Sequence, residues 1–278
     1  MNTNPDTDLN DDVTFYMQGW EPQGTPIAIV CLVHGLGEHS GRYAHVGAAL
    51  NEAGYALYGF DLRGHGQTGG PRGHFPSLEA VMQDIHQFVA FQRQNHPGSP
   101  VFLYGHSLGG LLTLAYAIQY GEGLNGVIVS GAGLRSPVLE QKGKVALVNL
   151  LGSLLPGLTI TTGLSPETIS RDPAVVKKYN EDPLVHDKSS LGLAKAGFSA
   201  IDLCFARAGE FKPPLLIMHG KADRGTYASG SVEFAKLAGA TNKDVTLKLW
   251  EGMYHELHNE PEQAEVFKVM IEWLDRHL

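Results

Sequence analysis

Ser107 stands at the centre of a Gly-x-Ser-x-Gly pentapeptide, G-H-S-L-G from 105 to 109, within the longer stretch V-F-L-Y-G-H-S-L-G-G. A serine hydroxyl is a poor nucleophile near neutral pH. It attacks an ester only when an adjacent base takes its proton and a third group orients that base. Two downstream residues fill those roles in the order serine, acid, histidine that a strand–turn–helix nucleophile calls for. Asp223 comes just after the apolar run L-L-I-M (215–218), and His255 just after V-T-L-K-L-W (245–250). With 34 glycines in 278 residues, a chance pentapeptide of this form is expected about 0.2 times, so the pentapeptide alone decides little. Three residues in the required order, each beyond a strand-like run, carry the assignment of Ser107, Asp223 and His255 as nucleophile, orienting acid and base.

Acyl transfer also needs donors for the oxygen that becomes negative as the carbonyl is attacked. The run I-A-I-V-C-L-V (27–33) leads into H-G-L-G. In a strand–turn–helix hydrolase, one backbone N–H comes from the loop after that strand and another from the residue following the nucleophile. Those positions are Leu36 and Leu108, whose backbone rather than side chains would act; His34 reads as a residue that shapes the loop.

These residues need a scaffold that brings strand ends together. Apolar runs predict strands near 27–33, 55–60, 101–104, 126–130, 214–218 and 245–250, with helical periodicity at about 43–53, 77–95, 108–120, 231–239 and 261–277. Such alternation predicts an α/β fold: a mostly parallel central sheet flanked by helices, with ligands beyond the carboxyl ends of the strands. The early segment V-T-F-Y-M-Q-G-W is expected to add antiparallel edge strands. The rhythm breaks between 134 and 212, a length improbable as structureless loop. An inserted helical cap is expected there, dividing a core of 13–133 and 213–278, with a flexible terminus at 1–12. The apolar part of the insertion, V-A-L-V-N-L-L-G-S-L-L-P-G-L (145–158), is too short and interrupted to span a bilayer. Two uses compete for it: lining an acyl tunnel while resting on lipid, or packing the cap onto the sheet.

Composition narrows the partners. A net charge of −8 and no basic patch exclude nucleic acid as an expected ligand. The two cysteines, Cys31 and Cys204, form no disulfide framework and read as small buried apolar residues. The histidines are scattered without metal-ligand spacing, and no phosphate loop or dinucleotide fingerprint occurs, so neither metal nor cofactor is expected. The acidic, polar start M-N-T-N-P-D-T-D-L-N-D-D is unlike a secretory signal and gives a cytoplasmic expectation.

Beyond the triad, the segments L-V-H-G-L-G-E-H-S-G-R-Y (32–43), D-L-R-G-H-G-Q-T (61–68), Y-N-E-D-P-L-V (179–185), G-K-A-D-R (220–224) and E-G-M-Y-H-E-L-H-N-E (251–260) form a pattern. From about Val13 to the end, the chain resembles the monoacylglycerol lipase family of serine hydrolases in the α/β-hydrolase superfamily. The resemblance implies an α/β-hydrolase fold with a cap, a lipid monoester as substrate, hydrolysis through an acyl-enzyme, and peripheral contact of the cap with membranes or micelles. It further implies that Glu38, Arg42 and His258 lie near the glycerol end of the substrate. An ion pair between Arg42 and Glu38 is the structural alternative for those two, and Asp61, Arg63 and His65 read as loop-fixing residues. A broader carboxylesterase, a lysophospholipase or a non-catalytic lipid-binding protein of the same fold are the competing functions. One departure from the family pattern is G-T-Y-A-S-G-S (225–231), where Gly225 is expected to loosen the loop that carries Asp223.

Overall fold

The computed structural model describes Thr7–Asp8 and residues 13–278. Apart from Thr7–Asp8, the terminus expected to be flexible (1–12) lies outside the described residues. Strands β1 (Thr7–Asp8) and β2 (Thr14–Phe15) form a short antiparallel pair, followed by β3 (Met17–Trp20). The chain then alternates: β4 (Ala28–Val33), α1 (Ala44–Glu52), β5 (Tyr55–Phe60), α2 (Leu78–Asn95), β6 (Val101–His106), α3 (Leu108–Tyr120) and β7 (Gly126–Ser130). An insertion carries α4 (Pro137–Glu140), α5 (Lys142–Leu154), β8 (Thr159–Thr161), α6 (Pro173–Glu181) and β9 (Lys188–Ser190). Alternation resumes with α7 (Leu191–Arg207), β10 (Leu215–Gly220), α8 (Ala228–Ala238), β11 (Val245–Trp250) and α9 (Gln263–Asp275).

The main sheet has seven strands in the order β11-β10-β7-β6-β4-β5-β3. All neighbours are parallel except the edge strand β3, which runs antiparallel to β5 with Met17 opposite Phe60. Every residue of β4, β5, β6, β7 and β10 is buried, as expected for parallel strands covered on both faces. The pleat divides their side chains between two cores. Ile29, Cys31 and Val33 of β4 face the layer that includes Ile85 of α2, Leu112 of α3, Ala200 of α7 and Phe234 of α8. Ala28, Val30 and Leu32 face Leu50 of α1 and Met270 and Trp273 of α9. The fold places the ends of β4, β6, β7, β10 and β11 along one edge, where the loops carrying Leu36, Ser107, Asp223 and His255 emerge.

The insertion differs from an all-helical cap in one respect: β8 and β9 pair antiparallel, Thr159 opposite Ser190. The last helix of the 134–212 stretch, α7, packs as a core helix, with Leu193, Ala196, Ala200 and Cys204 buried among the sheet residues. Helix α5 is the opposite case. Gly152 is its one buried residue, while Leu147, Leu150 and Leu154 are 53%, 63% and 69% exposed. Core packing therefore does not account for the apolar run of the insertion.

Candidate active site

Strand β6 ends at His106 and α3 begins at Leu108, so Ser107 makes the whole turn between them. Its backbone sits at φ 56, ψ −118, and it is the one non-glycine residue with positive φ among the described residues. Such a conformation costs about 1–3 kcal/mol and persists only when its surroundings over-determine it. They do here: Ser107 N–H donates to Ser130 O at 2.9 Å, and Ser107 O accepts from Leu111 and Gly133 N–H at 3.0 Å each. Gly109 is required by close approach, since a Cβ there would stand 2.1 Å from Val33 O. The turn is thus clamped against the end of β4, the strand whose loop must supply the other oxyanion donor.

The three residues inferred from chain order converge. His255 Nε2 lies 2.8 Å from Ser107 Oγ, and His255 Nδ1 lies 2.7 Å from Asp223 Oδ2. This geometry fits one tautomer: Nδ1–H donates to the carboxylate, leaving Nε2 to accept the serine proton. Burial opposes protonation of His255, but the charge and hydrogen bond of Asp223, with Glu256 and Glu38 nearby, outweigh it and raise the imidazole above its ordinary 6.5. Burial likewise opposes ionisation of Asp223, and the two imidazoles on it, His255 and His219, hold it ionised well below the usual carboxylate range.

The loop expected to be slack is tied to that carboxylate. Gly225 N–H and Thr226 N–H donate to Asp223 Oδ1 at 2.8 and 3.0 Å. Thr226 Oγ1 lies 2.8 Å from Asp223 Oδ2 and 3.0 Å from Gly131 O, two acceptors for its one proton. Hydrogen bonding removes the freedom that glycine would otherwise add.

The oxyanion side is equally braced. A Cβ on Gly35 would fall 3.2 Å from Ser107 Cβ, so the Gly35–Leu36 backbone abuts the nucleophile. Leu108 opens α3, where N–H groups have no acceptor within the helix. Gly35 N–H is fixed by Glu38 Oε1 at 2.6 Å, and Tyr43 Oη–H donates to the same oxygen at 2.8 Å. Arg42 then bridges two carboxylates, reaching Glu38 Oε2 at 2.5 Å and both oxygens of Glu256 at 2.7 Å. Burial disfavours the ionised carboxylates, but Arg42 outweighs it and holds both below their ordinary range. Glu256 adjoins His255 in sequence, so Arg42 links the loop of Gly35–Glu38 to the loop that carries His255.

The Arg42–Glu38 ion pair weighed from sequence is present, and Asp61, Arg63 and His65 are buried within the loop. Arg63 forms two 2.6 Å bonds to Asp84. A small cleft, partly open to solvent, lies over Ser107. Leu36, Leu164, Pro166 and Ile169 give it an apolar side; Glu38, Glu256 and Tyr179 also line it. Arg42 and His258 do not line this cleft. Arg42 lies over the Tyr179 ring at 4.7 Å, and His258 is fully buried, stacked on Tyr43 at 4.6 Å. Burial and the neighbouring His106 push His258 well below 6.5, so it is neutral, and neither of its ring nitrogens has a hydrogen-bond partner among the described residues.

Sequence reasoning gave no role to Glu256, Tyr43, His106, His219 or Thr226. Glu256 was the most accessible of these, an acid directly after the base. His106 fills the first variable position of the pentapeptide, and burial with the charge of His255 pushes it down to about 4. Tyr43, His219 and Thr226 act on carboxylates three to five residues away, through loop geometry that residue spacing does not encode.

A serine at a strained strand–helix turn, an imidazole–carboxylate pair and an adjoining N–H loop together define a serine hydrolase of the α/β-hydrolase fold. Residues 24–262 match the family described as "Serine aminopeptidase, S33", and the chain belongs to that family. It is 37% identical to the monoacylglycerol lipase of Mycolicibacterium smegmatis over 93% of this chain and 92% of that one. It is 40% identical to an uncharacterised abhydrolase domain-containing protein of Dictyostelium discoideum over 97% of its own length, but spans 28% of that longer chain. The crystal structure of Paleococcus ferrophilus monoacylglycerol lipase superposes with a TM-score of 0.85 at 38% identity, covering 95% of this chain and 99% of that one.

Proposed function

We infer that the protein hydrolyses monoacylglycerols to fatty acid and glycerol through an acyl-enzyme on Ser107. The observation that carries this reading is the continuous line Asp223–His255–Ser107, with contacts of 2.7 and 2.8 Å, opening into a cleft that is apolar on one side and lined by carboxylates on another. The kinship to monoacylglycerol lipases supports the same substrate class.

In this account the acyl chain lies against Leu36, Leu164 and Ile169, and the glycerol hydroxyls donate to Glu38. Arg42 and His258 act from behind that wall, Arg42 by holding Glu38 and His258 by packing against Tyr43. His255 Nε2 takes the proton of Ser107 as Oγ bonds to the ester carbon. The N–H groups of Leu36 and Leu108 receive the oxyanion, a contribution of about 3 kcal/mol per donor. His255 then returns the proton to the departing glycerol oxygen as the C–O bond breaks. Water repeats the cycle on the acyl-enzyme, His255 taking its proton and passing it to Ser107 Oγ as the fatty acid leaves.

The functional cap in this reading runs from 134 to about 190 and serves as the lipid-facing part. Its exposed Leu147, Leu150 and Leu154, beside Lys142 and Lys144, suit shallow contact with a membrane or micelle surface. No described helix is long and apolar enough to cross a membrane. A fluorophosphonate probe tests the catalytic core: the wild type labels at one site and Ser107→Ala does not. Labelling that survives in Ser107→Ala would remove Ser107 as the nucleophile.

A further inference from the structure

Asp223 Oδ2 faces two imidazoles. On one side is His255 Nδ1 at 2.7 Å; on the other is His219 Nε2 at 3.1 Å. His219 is fully buried near the carboxyl end of β10, and its Nδ1 lies 2.8 Å from Ser231 Oγ, itself fully buried on α8. With one ring proton on His219, Ser231 O–H donates to Nδ1 and Nε2–H points to Asp223 Oδ2, with Thr226 O a second acceptor at 3.2 Å. The result is Ser231–His219–Asp223–His255–Ser107, a serine–imidazole relay on each side of one carboxylate. The first of these serines has no access to the cleft.

We propose that His219 is a positioning residue for hydrolysis: its N–H, fixed in one tautomer by Ser231, shares the Asp223 carboxylate with His255 and thereby sets the basicity of the catalytic imidazole. The reasoning is electrostatic. A carboxylate oxygen that accepts a second N–H spreads its charge, and attracts the Nδ1 proton of His255 less strongly than an unshared one. His219 also fixes the rotation of Asp223, since Oδ1 is held by the Gly225 and Thr226 amides and Oδ2 by the two rings and Thr226 Oγ1. The other groups around His255 are His106, with ring centroids 4.8 Å apart, Thr226 Oγ1 at 3.3 Å from Nδ1, and the carboxylates Glu256 and Glu38. None of these contacts His219 except Thr226, so a change at His219 or Ser231 reaches the base through Asp223 and its loop.

This inference rests on the triad assignment but not on the choice of lipid. Its test is therefore the pH dependence of the rate at which a small fluorophosphonate inactivates the enzyme, which needs no natural substrate. Ser231→Ala leaves His219 Nδ1 without a donor and frees the ring to turn its proton away from Asp223. His219→Ala removes the contact outright. His219→Gln restores an N–H at the position of Nε2. In folded Ser231→Ala and His219→Ala, the acid limb should move up by about half a pH unit and the plateau rate should fall about 3–10-fold. His219→Gln should return both towards wild type. If His219→Ala fails to fold, Ser231→Ala and His219→Gln decide the matter. Folded variants whose limb coincides with wild type, or a glutamine that does not rescue, would overturn the proposal. A wild type that labels rapidly yet leaves monoacylglycerols untouched would instead defeat the substrate assignment.

Discussion

Ser107 combines chemical necessity with backbone strain, and the two can be separated by substitution. Glycine adopts φ 56, ψ −118 without the penalty a side chain carries, so Ser107→Gly should be about 1 kcal/mol more stable than wild type while losing all hydrolysis. Urea unfolding and ester turnover on the same preparation measure both; a Ser107→Gly less stable than wild type would contradict the strain. His255 makes a second prediction. It must be neutral to accept the serine proton, and its pKa is raised above 6.5 in the fold. Activity should therefore be full above that raised value and fall as pH decreases through it, with the half-point above 6.5. A profile flat down to pH 6 would show that another group, or a weaker Asp223 contact, governs the base.

Among the elements, those that hold the chemistry were clear in the sequence, while the ties between them were not. The runs at 27–33, 101–104 and 214–218 became β4, β6 and β10 because fully buried parallel strands read as continuous apolar stretches, while V-T-L-K-L-W (245–250) became β11, an edge strand in which only Trp250 is buried. Ser107, Asp223 and His255 stood directly after such runs. In contrast, Glu256, His219 and Thr226 act through partners far away in the chain or through loop geometry, which spacing does not encode. Helix α7, which packs as a core helix, was grouped with the cap for another reason: it follows the insertion directly, without a strand of the main sheet to restart the rhythm. The Arg42 bridge makes the tie between loops measurable. Removing one partner of a buried ion pair leaves the other charge uncompensated, so Glu256→Ala should destabilise the protein by about 3–5 kcal/mol and slow turnover more than it weakens substrate binding. The carboxyls of Glu38, Glu256 and Asp223 are all depressed in the fold. Their stabilisation is therefore fully present above the unfolded carboxylate pKa of about 4 and lost as pH falls below it. Chemical denaturation at pH 7, 4 and 3 should show that decline in wild type and a shallower one in Glu256→Gln.

At the scale of the whole molecule, the proposed cap and the buried sheet would divide the work. The sheet fixes the reacting groups, and the insertion between β7 and β10 places Leu164 and Ile169 over the cleft while turning Leu147, Leu150 and Leu154 outward. Replacing those three leucines with serine removes apolar area worth about 1.5–3 kcal/mol per fully buried side chain. Binding to phospholipid vesicles, followed by co-sedimentation, should drop at least tenfold, with turnover of a water-soluble short-chain ester unchanged. Equal loss in both assays would mean that α5 supports the fold rather than a lipid surface.

The central claim is that this cleft serves a lipid ester whose leaving group is glycerol. It is tested most directly by kcat/KM across a matched panel of monoacylglycerols of increasing chain length, di- and triacylglycerols, lysophospholipid and p-nitrophenyl esters. The account predicts a clear preference for monoacylglycerol, reduced in Glu38→Gln, where one carboxylate facing the hydroxyls becomes an amide. Comparable rates on short p-nitrophenyl esters with little turnover of monoacylglycerol would contradict it, leaving a general esterase built on the same triad.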